Sequence, residues 1–132
     1  MAKPVEFEND PDIFENPRQI QGQIIRGLRY FIVLHILKAQ PMHGYRIITV
    51  IRKNFGIYLG PSSVYPLLRD LEDWNYLQSS WTTEDFHPKR IYSLTNRGKN
   101  MLAYLENSIE HLLVGMRMTE TTHQLENQTR QS

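Results

Sequence analysis

The sequence predicts a mainly α protein with a small β-hairpin, arranged as a winged helix-turn-helix and a C-terminal dimerisation helix. Three observations carry this. Apolar residues recur at helical spacing up to Trp74; the pattern then changes to alternation over Leu77–Trp81 and Arg90–Leu94; and it returns to helical spacing beyond Thr95. A single chain of 132 residues holds one moderate core, with room for an appendage but not for a second core.

Composition narrows the function classes. The chain has no cysteine, which excludes disulfide frameworks and thiolate metal sites and suits a reducing, cytoplasmic setting. No apolar run reaches membrane-spanning length, and no membrane partner is expected. The net charge of +1 conceals an asymmetry. Residues 1–17 hold one Lys against five acidic residues, a local −4, whereas residues 18–100 hold twelve Lys and Arg against five acidic residues, a local +7. A basic body suits a phosphate-bearing partner.

In chain order, residues 1–17 are acidic and Pro-bearing without periodicity, and read as a disordered arm. A helix is expected from Arg18 to Gln40, stopped by Pro41. Its segment Tyr30–Leu37 is apolar almost all round, so it should contact both its own core and a partner subunit, with Tyr30 and Phe31 at that interface and His35 in the core or the interface. A second helix is expected over His43–Asn54, with Tyr45, Ile48 and Ile51 facing inward, Ile47 a further candidate, and Gly56 as its stop.

The third helix, around Ser62–Trp74, reads as a recognition helix. Ser62 or Ser63 is the expected N-cap, with Pro66 in the first turn. Val64, Leu67, Leu68 and Leu71 form its inner face, which leaves Ser62, Ser63, Tyr65 and Arg69 to reach phosphates and base edges. Tyr45 is a further candidate contact through its hydroxyl. A hairpin follows, with Thr83–Pro88 as its loop and Lys89 and Arg90 near the wing tip, where cations can straddle a minor groove. The winged helix-turn-helix domain is thus expected over residues 18–94.

Thr95 is the expected N-cap of a last helix over residues 95–118. Its apolar positions Leu102, Leu105, Ile109, Leu112 and Met116 step by three and four, an a/d seam that asks for a partner helix. Leu105, Ile109, Leu112 and Met116 are the predicted dimer contacts, and residues 119–132, poor in large apolar groups, are expected to be a flexible tail.

Other chemistry finds little support. Ser62, Ser63 and His43 lack the elbow and orienting acid of a nucleophilic site. The five histidines have no ligand spacing, and no Gly-rich phosphate loop occurs. No enzyme activity, metal or cofactor is expected. The alternative function is a winged-helix module that docks proteins without binding DNA.

Three stretches resemble the PadR-type transcriptional regulators of the short kind: Pro41-Met42-His43-Gly44-Tyr45, Ser62 through Glu72, and Pro88-Lys89-Arg90-Ile91-Tyr92-Ser93-Leu94-Thr95 followed by Gly98. The resemblance spans roughly residues 24 to 102. It implies a homodimeric winged-helix protein, usually a repressor, bound to double-stranded DNA at a pseudo-palindromic operator and released by a small hydrophobic effector. The wing departs from the family pattern, since Phe86 and His87 precede Pro88 and Ile91 replaces the first aromatic after the basic pair.

Overall fold

The computed structural model describes residues 16–83 and 86–131. The predicted acidic arm therefore lies outside the described residues as far as residue 15, and so do Glu84 and Asp85 of the hairpin loop. The element order is α1 (Asn16–Gly27), α2 (Arg29–Ala39), β1 (Met42–His43), α3 (Gly44–Phe55), α4 (Pro61–Asp73), β2 (Leu77–Trp81), β3 (Arg90–Leu94) and α5 (Asn96–Gln131).

Where one helix was expected over 18–40, there are two, and the first starts at Asn16, inside the span assigned to the arm. The break falls at Leu28, whose N–H donates to the carbonyls of both Ile24 and Ile25. Gly27 beside it lowers the cost of interrupting the helix. The short α2 is the centre of the fold. Ile32, Val33, Leu34, Ile36 and Leu37 are buried, and α1, α3, α4, α5 and β3 all pack on it. His35 is the exception: its side chain is exposed at the edge of α5, 3.8 Å from Glu106, which also meets Lys38 at 3.6 Å. It is neither a core histidine nor part of the apolar face.

The helix expected from His43 begins at Gly44, because Met42 and His43 form a strand that pairs with Tyr92 and Ile91 of β3. The wing is thus a three-stranded antiparallel sheet in the order β1-β3-β2, with Leu77 opposite Leu94 and Trp81 opposite Arg90. Ile47, Ile48 and Ile51 of α3 are buried as their spacing predicts, whereas Tyr45 is 68% exposed and faces outward. Gly56 ends α3 in the left-handed region at φ 68°, which glycine enters without strain.

One core, built from Val33, Leu34, Ile47, Ile51, Val64, Leu68, Leu71, Leu77 and their neighbours, unites helices and sheet. The last helix enters it through Leu102 and then departs. Thr95 caps α5 as expected, its Oγ1 accepting from the Gly98 N–H at 2.9 Å and donating to the Asn75 carbonyl at 2.7 Å. The helix then runs for 36 residues, about 54 Å, through the region assigned to a flexible tail. Residues 119–131 contain no Gly or Pro, so no breaker interrupts the helix, and Thr119, Thr121, Thr122 and Thr129 turn their hydroxyls onto carbonyls four residues back. Among the described residues no helix is long and apolar enough to cross a membrane.

Candidate nucleic-acid interface

The third helix, α4, starts earlier than its sequence suggested. Gly60 is the N-cap and Pro61 the first helical residue, the carbonyl of Gly60 accepting from Ser63 and Val64. Neither Ser62 nor Ser63 caps the helix; both lie in its exposed first turn. Pro66 is inside the helix rather than in its first turn. It removes one backbone donor, and the exposed side on which it lies leaves the carbonyl of Ser62 within reach of water.

Val64, Leu67, Leu68 and Leu71 are buried as predicted. At about 3.6 residues per turn, the opposite face presents Ser62, Tyr65, Pro66 and Arg69, all exposed. Arg69 makes no ion pair with Asp70 or Asp73, because Asp70 is engaged elsewhere: its Oδ2 accepts from the Tyr30 hydroxyl at 2.9 Å. That bond raises the Tyr30 pKa above the ordinary tyrosine value, with burial adding to it. Tyr30, predicted at the dimer interface, is half-buried and bonded within its own chain, with its ring 5.5 Å from that of Trp74. Phe31 is half-buried against the core, its ring 6.0 Å from His35.

Tyr65 is held by the start of α3. Its ring lies so close to Gly44 that a Cβ there would stand 2.7 Å from the ring carbon Cε1, closer than van der Waals contact permits. A glycine at the head of α3 is what lets the two helices of the helix-turn-helix approach and leaves Tyr65 42% exposed at the surface. Tyr45, on the outward side of α3, and Tyr65 on α4 thus both face solvent.

The wing flanks α4 on the side of Tyr65 and Glu72. Its loop is closed by the Thr82 N–H on the Lys89 carbonyl at 2.8 Å and the Lys89 N–H on Thr82 Oγ1 at 3.3 Å. Lys89 is exposed and makes no ion pair among the described residues. Arg90 differs. Its Nη2 meets Glu72 Oε1 of α4 at 2.7 Å, its Nε donates to Ser79 Oγ at 2.8 Å, and its guanidinium lies 5.5 Å from the centroid of the Tyr92 ring. Predicted as a wing-tip cation, Arg90 is a strut between the wing and α4. Both Lys89 and Arg90 follow the loop rather than forming its tip, and Phe86, fully exposed, lies within it.

Between wing and α4 runs a groove of about 400 Å³ lined by His43, Gly44, Tyr65, Trp81, Lys89 and Tyr92 among others. Two of these residues escaped sequence reasoning. Trp81 shares the side of β2 that begins with Leu77, but the strand outruns the core and its ring is 64% exposed. His43 was assigned to a helix and instead sits in β1, where burial, with Lys89 and Arg46 adding to it, holds its pKa below the ordinary histidine value. Alternation alone could have placed Trp81 beside Arg90 only if the end of the core had been known. Tyr92, buried beneath the groove, has its pKa raised mainly by that burial. Among the described residues no group of three or more His, Asp or Glu side chains is placed to hold a metal ion.

The predicted dimer seam divides. Leu102 is buried and Leu105 packs on the protomer's own core; Ile109 is half-buried at the boundary; Leu112 and Met116 are 59% and 56% exposed, in company with Leu113, Val114, Met118 and Leu125.

Comparison with known proteins agrees with this geometry. The chain is similar in structure to a PadR family transcriptional regulator from Eggerthella lenta DSM 2243, with 26% identity over 77% of this chain and 86% of that one and a TM-score of 0.67. It is similar in fold to a PadR family regulator from Clostridium difficile R20291, with 22% identity, 69% and 96% of the two chains covered and a TM-score of 0.64. Bacillus subtilis PadR in complex with operator DNA matches at 25% identity and a TM-score of 0.55, over 59% of this chain and 45% of the Bacillus chain. Comparison with curated protein sequences gives no significant match. The family model of the PadR-like transcriptional regulators matches residues 33–104, more than half of the sequence and the span from within α2 through the wing into α5, and the chain belongs to that family.

Proposed function

We propose that this protein is a homodimeric, sequence-specific DNA-binding repressor in which α4 enters the major groove, Ser62, Tyr65 and Arg69 address base edges and phosphates, and Tyr45, Ser63 and Lys89 hold the flanking backbone. The observation that carries the reading is the outer face of α4, where a guanidinium without a carboxylate partner among the described residues and a phenol steadied by Gly44 stand side by side on a helix whose other face is core. The operator complex of the Bacillus relative supports it. Arg90 enters the reading in a lesser role, since its charge is already met by Glu72.

The exposed apolar length of α5 supports pairing with the same helix of a second copy, and a two-fold dimer reads a pseudo-palindromic site with half-sites roughly 34 Å apart or a multiple of that. A small apolar effector would release the DNA by binding where α5 leaves the core, beside the groove of about 560 Å³ bordered by Leu37, Leu94 and Leu102. The test is selection of bound sequences from random duplexes, followed by gel-shift titration of variants. Arg69→Ala and Tyr65→Ala should each weaken the selected site by about 1–3 kcal/mol. Undiminished affinity in both variants would remove this helix face from the readout.

A further inference from the structure

The recognition helix has two flanks, and the wing covers only one. On the other, where Ser63 and Asp70 point, α4 borders a cleft of about 410 Å³ formed with the junction of α1 and α2 and lined by Arg26, Arg29, Tyr30, Ser63, Pro66 and Asp70 among others. Arg26 lies in the last turn of α1 and Arg29 opens α2, and both border this cleft. Both residues are exposed and neither forms an ion pair among the described residues; Arg29 lies 5.7 Å from the Tyr30 ring centroid. The carboxylate in the cleft, Asp70, accepts from the Tyr30 phenol rather than from an arginine, which leaves two guanidinium groups against one carboxylate along the cleft, Arg29 resting on Tyr30.

We infer that Arg26 and Arg29 clamp a backbone phosphate of duplex DNA on the side of α4 opposite the wing. The inference rests on the reading of α4 as the helix in the major groove. A major groove is bounded by two phosphate backbones about 12 Å apart, so a helix lying in it faces one on each flank. Lys89 of the wing serves one side; the arginine cleft stands on the other, with the exposed Ser63 hydroxyl between it and the groove. A guanidinium matches a phosphate through two parallel N–H donors, and a contact of this kind sets register without reading sequence.

The experiment uses the full chain with the selected operator and an unrelated duplex of equal length, in a salt titration read by fluorescence anisotropy. For Arg26→Gln/Arg29→Gln, affinity should fall by the same factor on both duplexes, and the slope of log affinity against log salt should shrink by about one unit for the lost phosphate. The advantage of the wild type should then narrow about fourfold between 50 and 200 mM salt. The lysine pair Arg26→Lys/Arg29→Lys should restore the slope. A neutral methylphosphonate walked along the operator should weaken the wild type at one flanking position and leave the glutamine pair unaffected there. Wild-type binding with an unchanged slope in the glutamine pair, or a loss confined to the operator, would overturn the clamp while leaving the role of α4 intact. Failure of the wild type to bind any duplex would overturn both. Circular dichroism should give the same melting curve for all three proteins, because neither arginine is buried or ion-paired.

Discussion

Gly98 is the residue whose replacement the fold tolerates least for its size. It lies in the first turn of α5, and a Cβ there would stand 2.0 Å from the carbonyl oxygen of Tyr76, a backbone atom that also accepts from the Thr95 N–H and so cannot swing aside. Gly98→Ala should lower stability by about 1–3 kcal/mol, the range for forcing an atom into a filled site, and urea melts of the two proteins measure it. His43 supplies a pH signature. Its folded pKa lies below the ordinary value, so in the window between that depressed value and about 6.5 the unfolded chain binds more protons than the folded one. Stability therefore rises with pH through that window and is lost as pH falls through it. Denaturation midpoints between pH 5 and 8 should show this slope, and His43→Gln should flatten it; an equal slope in the variant would assign the effect to other groups.

Among the elements, the wing is tied to α4 at one conspicuous point. Glu72 Oε1 takes the Arg90 guanidinium, while Glu72 Oε2 is buried with no hydrogen-bond partner among the described residues. Removing the guanidinium would leave the whole carboxylate without its cation beside an already unmatched oxygen. Because both side chains are part-exposed, Arg90→Ala should cost up to about 1 kcal/mol, the range for a solvent-accessible ion pair, and Arg90→Ala/Glu72→Leu should recover much of that loss. A thermal melt of the single and double variants tests it, and a single variant as stable as the wild type would reduce the bridge to a surface contact of little worth. The end of α4 is just as closely specified. Asn75 adopts φ 62°, and the Tyr76 N–H on the Leu71 carbonyl and the Asn75 N–H on the Glu72 carbonyl complete a Schellman cap that turns the chain straight into β2.

For the whole molecule, α5 divides the chain's apolar surface between two jobs. Its first turns complete the protomer's core through Leu102, and the described residues past Ile109 are exposed over a length that no described element covers. Leu112→Glu/Met116→Glu should leave a folded protomer and abolish pairing, because both side chains lie outside the core. Leu102→Ala should unfold the protomer at a cost of about 2–5 kcal/mol. Sedimentation and circular dichroism separate the two results. A 15.6 kDa species for the wild type at micromolar concentration would contradict the dimer, and loss of helix in the glutamate pair would place those residues in the core instead.

The sequence by itself determined the order of helices, hairpin and last helix, though not the break at Leu28 or the length of α5, and with it the inner faces of α3 and α4, the stop at Gly56 and the cap at Thr95. Each of these is written in local chemistry: an apolar period, a proline or glycine that the backbone obeys, a hydroxyl three residues from an orphan N–H. What only the tertiary structure decided depends on neighbours distant in sequence. The two residues of β1 carry no period of their own and become a strand because β3 offers its edge. Tyr45 turns outward and Tyr30 inward because Asp70 and Trp74 wait beside one and not the other. Arg90, alike in sequence to Lys89, becomes a strut because Glu72 lies 2.7 Å away, and the seam of α5 splits at Ile109 because that is where the core ends. Periodicity states that a face must be covered; only packing states by what, since burial is a property of the space between elements rather than of any one of them.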